Sequence, residues 1–66
     1  MDKELQKVTN ELCDLLRPVN IKLEKWIVEN KNRFIESKGK PAKLGLLIGN
    51  AYAVYILIDD LLNNAD

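Results

Sequence analysis

Histidine is missing from all 66 residues of this chain. Its absence removes the commonest general base, the triads built on it and the imidazole metal ligand. Cysteine occurs once, as Cys13, so no disulfide can close within a chain and a Cys/His zinc site is excluded. With Glu11 and Asp14 close by, Cys13 reads as a half-buried small hydrophobe and not as an activated nucleophile. Glycine is scarce, and Gly45 and Gly49 fall inside a helical pattern with no strand before them, so no phosphate-binding loop is present. Asp59 and Asp60 are adjacent, which sets them about 100° apart on a helix and not as a facing carboxylate pair. The expectation is a protein that is not an enzyme and holds no cofactor and no metal.

An excess of charge is also lacking. Ten basic and ten acidic residues cancel, whereas a dedicated nucleic-acid binder carries a basic surplus. The charges are unevenly placed, however. All ten basic residues and seven acids lie at or before Lys43, leaving Asp59, Asp60 and Asp66 alone in the remainder. The N-terminal MDKELQKV is charged and carries no apolar core, so a secretory signal is not expected. Together with a lone thiol, which suits a reducing compartment, this points to the cytoplasm.

Apolar residues, at 47%, are plentiful. From Leu44 to Leu62 the chain reads LGLLIGNAYAVYILIDDLL, and a helix built from it has no polar face. Such a helix needs cover on every side. One domain spanning 1–66 is all the length allows, and a domain this small buries only about 60% of its unfolded surface. From Leu44 to Ile58 the run holds fifteen residues with Asn50 inside, short of the ~20 that a bilayer span needs. A buried core helix is therefore expected ahead of a membrane-associated one, although the small-xxx-small pattern of Gly45, Gly49 and Ala53 occurs in both settings.

The whole chain has helical periodicity. Leu5, Val8, Leu12, Leu15 and Val19 are spaced 3, 4, 3 and 4, a seam-type stripe. It implies a first helix from about Asp2 to Leu16. Pro18 then permits two readings. Arg17-Pro18-Val19-Asn20 could form a turn, with Asn20 capping a helix from Ile21 to about Ser37. Alternatively Pro18 kinks one long helix, because Leu23, Trp26, Ile27, Asn30 and Phe34 continue the phase of the earlier stripe. Trp26 reads as a core anchor in either case. Gly39 and Pro41 mark a loop, with Gly39 suited to a left-handed cap and Pro41 to the first turn of a helix running to about Asn63. Asn63, Asn64 and Asp66 form a polar end.

The expected architecture is an all-α bundle of three helical segments, the third folding back as a hairpin, assembled as a homo-oligomer. Ile21, Val28 and Ile35 recur at sevens opposite the main stripe. With Gly45, Gly49, Ala53 and Ile56 they are the candidate interface with further copies. A non-enzymatic protein that binds a larger protein is the leading expectation: an adaptor, assembly subunit or inhibitor of the kind found among small bacterial and phage accessory proteins. The alternative is a binder of small anionic, nucleotide-like ligands at subunit junctions, using Lys38, Lys40, Lys43, Asn50 and Tyr52. A short membrane-associated protein is the third reading.

Overall fold

Two antiparallel helices make up the computed structural model, which describes residues 2–64. Helix α1 spans Lys3–Glu36 and helix α2 spans Ala42–Asn64. Of the two readings at Pro18, the single long helix is the one adopted, so three segments become two and the turn at Arg17–Asn20 does not form. Pro18 lies inside α1. Its missing N–H leaves one helical carbonyl without a partner, but Pro18 and Asp14, one turn earlier, are both exposed. Water can satisfy that carbonyl, so the break carries little penalty here. Asn20, a cap only if the turn had formed, sits in mid-helix and is buried. The polar end at Asn63 and Asn64 is still helical, and Asp66 lies outside the described residues.

Both ends of α1 are set by local chemistry. At the start, the Asp2 carboxylate accepts the Glu4 N–H at 2.9 Å, an N-cap that also favours the positive end of the helix dipole. At the far end, Lys38 N–H donates to Ile35 O at 2.9 Å and Gly39 N–H to Phe34 O at 3.0 Å. That pair of bonds is the Schellman arrangement. The left-handed position it requires is filled by Lys38, with φ 61°, and Gly39 follows at φ 80°. Pro41 stands just outside α2, its carbonyl accepting the Leu44 N–H at 3.1 Å.

The seam between the helices differs from the greasiest stripe of the sequence. On α1 it comprises Thr9, Cys13, Leu16, Asn20, Leu23, Ile27, Asn30 and Phe34, each buried or half-buried, again with alternating spacings of four and three. On α2 it comprises Leu44, Ile48, Ala51, Tyr55, Ile58 and Leu62, all half-buried. Hydrogen bonds fix the register. The Asn20 amide donates to Tyr55 O at 3.4 Å and the Tyr55 hydroxyl to Glu24 at 3.3 Å.

Leu23, Ile27, Asn30 and Phe34 therefore face the core as expected, whereas Leu5, Val8, Leu12, Leu15, Val19 and Trp26 do not. These six are exposed, Trp26 to 39% and Leu15 to 70%. Among the described residues only Cys13 and Ile27 are buried hydrophobics, at 4% and 7% exposure. No residue of α2 is buried, so the full enclosure its composition demands is not provided within one chain. Leu47 and Val54, within the apolar run that needs cover on every side, are exposed. Helix α1 is also the longer arm. Residues 2–8 are all exposed, so the first two turns of α1 project beyond the hairpin.

Candidate interaction surface

Two apolar flanks run along the hairpin, one on each side of the seam. The first is a groove of about 500 Å³. Its α1 wall is Ile27, Val28 and Phe34, with Glu24 and Lys31 at the rim; its α2 wall is Gly45, Ile48, Gly49, Tyr52 and Tyr55. Helical spacing produces this flank directly. Residues 24, 27, 28, 31 and 34 share one side of α1, as 45, 48, 49, 52 and 55 do on α2.

The two glycines in the wall have different roles. At Gly45 an added Cβ would lie 2.8 Å from Phe34 Cε1, so the missing side chain seats the Phe34 ring. At Gly49 an added Cβ would meet nothing within 4 Å. Gly49 therefore leaves a dent open to solvent. Tyr52 and Tyr55 close one end, with ring centroids 6.5 Å apart. Partial burial pushes the Tyr55 phenol above its ordinary value of 10.0, and the charges of Glu24 and then Asp59 push it the same way. Tyr52 is the more exposed of the two rings.

The second flank is the unused α1 stripe: Leu5, Val8, Leu12, Leu15, Val19 and Trp26. Leu47 and Val54 stand beside it on α2, also exposed. It is a row of large exposed side chains. The far side of α2 adds Leu46, Ile56 and Leu57, the last 70% exposed.

The candidate interface residues divide between these surfaces. Val28, Gly45 and Gly49 line the groove. Ile21 and Ile35 continue its α1 rim at one-heptad intervals from Val28 and are exposed. Ala53 and Ile56 are exposed on α2 outside the groove lining. The expected ligand residues do not converge. Only Tyr52 lines the groove. Lys38 and Lys40 lie in the connection, and Lys43 lies in the first turn of α2, nine residues and so about 13 Å of helix from Tyr52. Asn50 is exposed, roughly 160° around the helix from Tyr52. Among the described residues no three Cys, Asp or Glu side chains gather as a metal site would require.

Sequence reasoning missed Asn20. Its side chain is 5% exposed, and its Oδ1 has no hydrogen-bond partner although the amide group donates to Tyr55 O. A polar residue at a seam position is a known device for fixing register at some cost in stability. The sequence signal was available: Cys13, Asn20, Ile27 and Phe34 recur at sevens.

No family model, curated protein or solved structure matches the chain.

Proposed function

We propose that this is a non-enzymatic binding protein, a helical hairpin that works as an oligomer and engages an apolar segment of a larger protein in the cytoplasm. The supporting observation is the groove along Val28, Gly49 and Tyr52. It is apolar along its length, edged by one acid and one base, and open at Gly49 where a side chain would otherwise fill it. Grooves of this kind accept an amphipathic helix through residues spaced three and four apart. The residues that line it offer positioning and shape but no nucleophile with a base beside it.

The test is to place a photo-crosslinking side chain at Tyr52 in cells that make the protein. A single defined partner should be trapped, and Gly49→Phe, which fills the dent, should abolish trapping without loss of helix by circular dichroism. If the same partner is trapped equally well from Lys7, on the remote polar face, the groove is not the binding site.

A second reading, association with a membrane, has its own support. Helix α2 has 23 residues, about 35 Å of helix, and is long and apolar enough to cross a bilayer by length and composition. Fractionation separates the two readings: a chain extracted only by detergent supports the membrane, and one recovered in the soluble fraction supports the binding protein.

A further inference from the structure

The most regular apolar seam of α1 is the one the hairpin leaves unused. Leu5, Leu12, Val19 and Trp26 recur at exact sevens, and Val8 and Leu15 follow the first two by three. That is the a/d pattern of a coiled coil, and all six side chains are exposed. It begins on the projecting turns of α1, where residues 2–8 have no second helix beside them. We infer that a second copy of this chain covers this seam from Leu5 to Val19, the two α1 helices packing antiparallel about a twofold axis near Cys13 and Asp14. The inference goes beyond the groove and does not depend on what the groove binds.

Three observations select this occupant and this direction. The first is pairing of the seam with itself. Antiparallel packing about that axis sets Leu12 against Leu15 of the partner subunit and Val8 against Val19 of the partner subunit. Leu5 then lies on the aliphatic stem of Lys22 of the partner subunit. Every large residue from Leu5 to Val19 thus finds an apolar counterpart, and the contact is isologous, as a closed dimer requires.

The second is charge. The edge of the seam carries Glu4 and Glu11 at its N-terminal end and Lys25 further on, while Lys22 takes the seam position that follows Val8 and Leu15. Antiparallel packing brings Glu4 within reach of Lys25 of the partner subunit, twice by symmetry. Parallel packing would instead stack Lys22 on its own copy inside the seam, a repulsive contact of the kind that selects orientation.

The third is area. An overlap from Lys3 to Glu24 is about 33 Å long at the helical rise, and the hairpin is 16 Å wide. Each copy would then bury roughly 500 Å², and the pair about 1,000 Å², the size at which a specific interface becomes tenable. The projecting turns of one copy gain cover from the middle of the other α1, which explains how two exposed helical turns can persist in a chain of this size.

Sedimentation in detergent-free buffer is the first measurement. A species of twice the 7.6 kDa chain mass is expected. Leu12→Glu should reduce it to one chain, while Leu57→Glu, on the outer face of α2, should leave it unchanged. Because Leu12→Glu could also unfold the helix, direction is tested separately by disulfide trapping in a Cys13→Ala background. A mixture of Val8→Cys and Val19→Cys chains should cross-link as a heterodimer, and Val8→Cys alone should not. Glu4→Lys and Lys25→Glu should each weaken the dimer, and the double variant should restore it.

Four outcomes overturn the inference. One is a stable single chain at micromolar concentration. Another is cross-linking by Val8→Cys alone, which would mean parallel packing. A dimer insensitive to Leu12→Glu but dissolved by Val28→Glu would place the partner in the groove. Recovery only with phospholipid vesicles, with no soluble dimer, would make lipid the cover for the seam.

Discussion

Phe34 lies across Gly45: a Cβ at Gly45 would come within 2.8 Å of Cε1 and 3.0 Å of Cζ of the ring. The same ring reaches back to Gly39, where a Cβ would lie 3.7 Å from Cζ. One aromatic side chain thus ties the connection to the first turn of α2, and it can do so only because position 45 has no side chain.

The two helical glycines should therefore respond oppositely to alanine. At Gly49, where nothing stands within 4 Å, Gly49→Ala should raise hairpin stability by about 1 kcal/mol, the helix-propensity difference alone. At Gly45 the same gain is offset by displacement of the Phe34 ring. Gly45→Ala should be neutral or destabilising by about 1 kcal/mol, the scale of an overpacked contact. In a Phe34→Leu background the two substitutions should become alike. Denaturant titration of the four chains measures the coupling.

Asn20→Leu should stabilise the protein. The substitution removes a buried Oδ1 that has no partner and gives up only a 3.4 Å bond to Tyr55 O. That carbonyl keeps its own helical hydrogen bond. A gain of about 1–2 kcal/mol is expected from the unsatisfied group alone. The accompanying loss is register: the apolar seam should accept slipped pairings, visible as broadened amide resonances. A chain that becomes less stable would show that Asn20 is fully satisfied in solution.

Lys38 adopts a left-handed backbone, φ 61°, at the end of α1. A side chain there carries a steric cost of about 1 kcal/mol that glycine avoids. Lys38→Gly should therefore raise the thermal midpoint despite adding freedom to the unfolded chain, and Lys38→Asn should fall between the two. Lys38→Val should lower it, because a β-branched residue tolerates positive φ poorly. The ordering of the four midpoints is the readout.

The Tyr55 phenol should lose its proton later than a free tyrosine. In a Tyr52→Phe chain, phenolate absorbance reports Tyr55 alone, and its midpoint should lie above 10.0. Partial burial is the larger cause and Glu24 the next, so Glu24→Gln should bring the midpoint part of the way down. The folded chain holds this proton more tightly than the unfolded one. Its contribution to stability is therefore intact below pH 10 and is lost as pH rises through the raised folded value.

The sequence revealed the all-helical class, the loop at Gly39 and the reversal into a hairpin, because these follow from periodicity and from residues with special backbone freedom. It was less informative about which face is shared. Leu5 to Val19 is the more hydrophobic stripe of α1, and ranking by hydrophobicity assigns it to the core. The hairpin uses its neighbour instead, where Thr9, Asn20 and Asn30 interrupt the apolar positions. Two seams a fraction of a turn apart cannot be ordered from one strand of information; which of them meets α2 depends on the connection, and Phe34 on Gly45 fixes that. Pro18 left two readings open for a related reason. Its penalty depends on whether the freed carbonyl faces water, and that is known only once the covered face is known.

Cys13 is the sole thiol and is almost fully enclosed between the helices. The intact hairpin should consequently resist alkylating reagents, and labelling should proceed only through moments when the arms part. The native chain thereby carries a chemical clock for its own breathing, readable by mass spectrometry with no engineered probe.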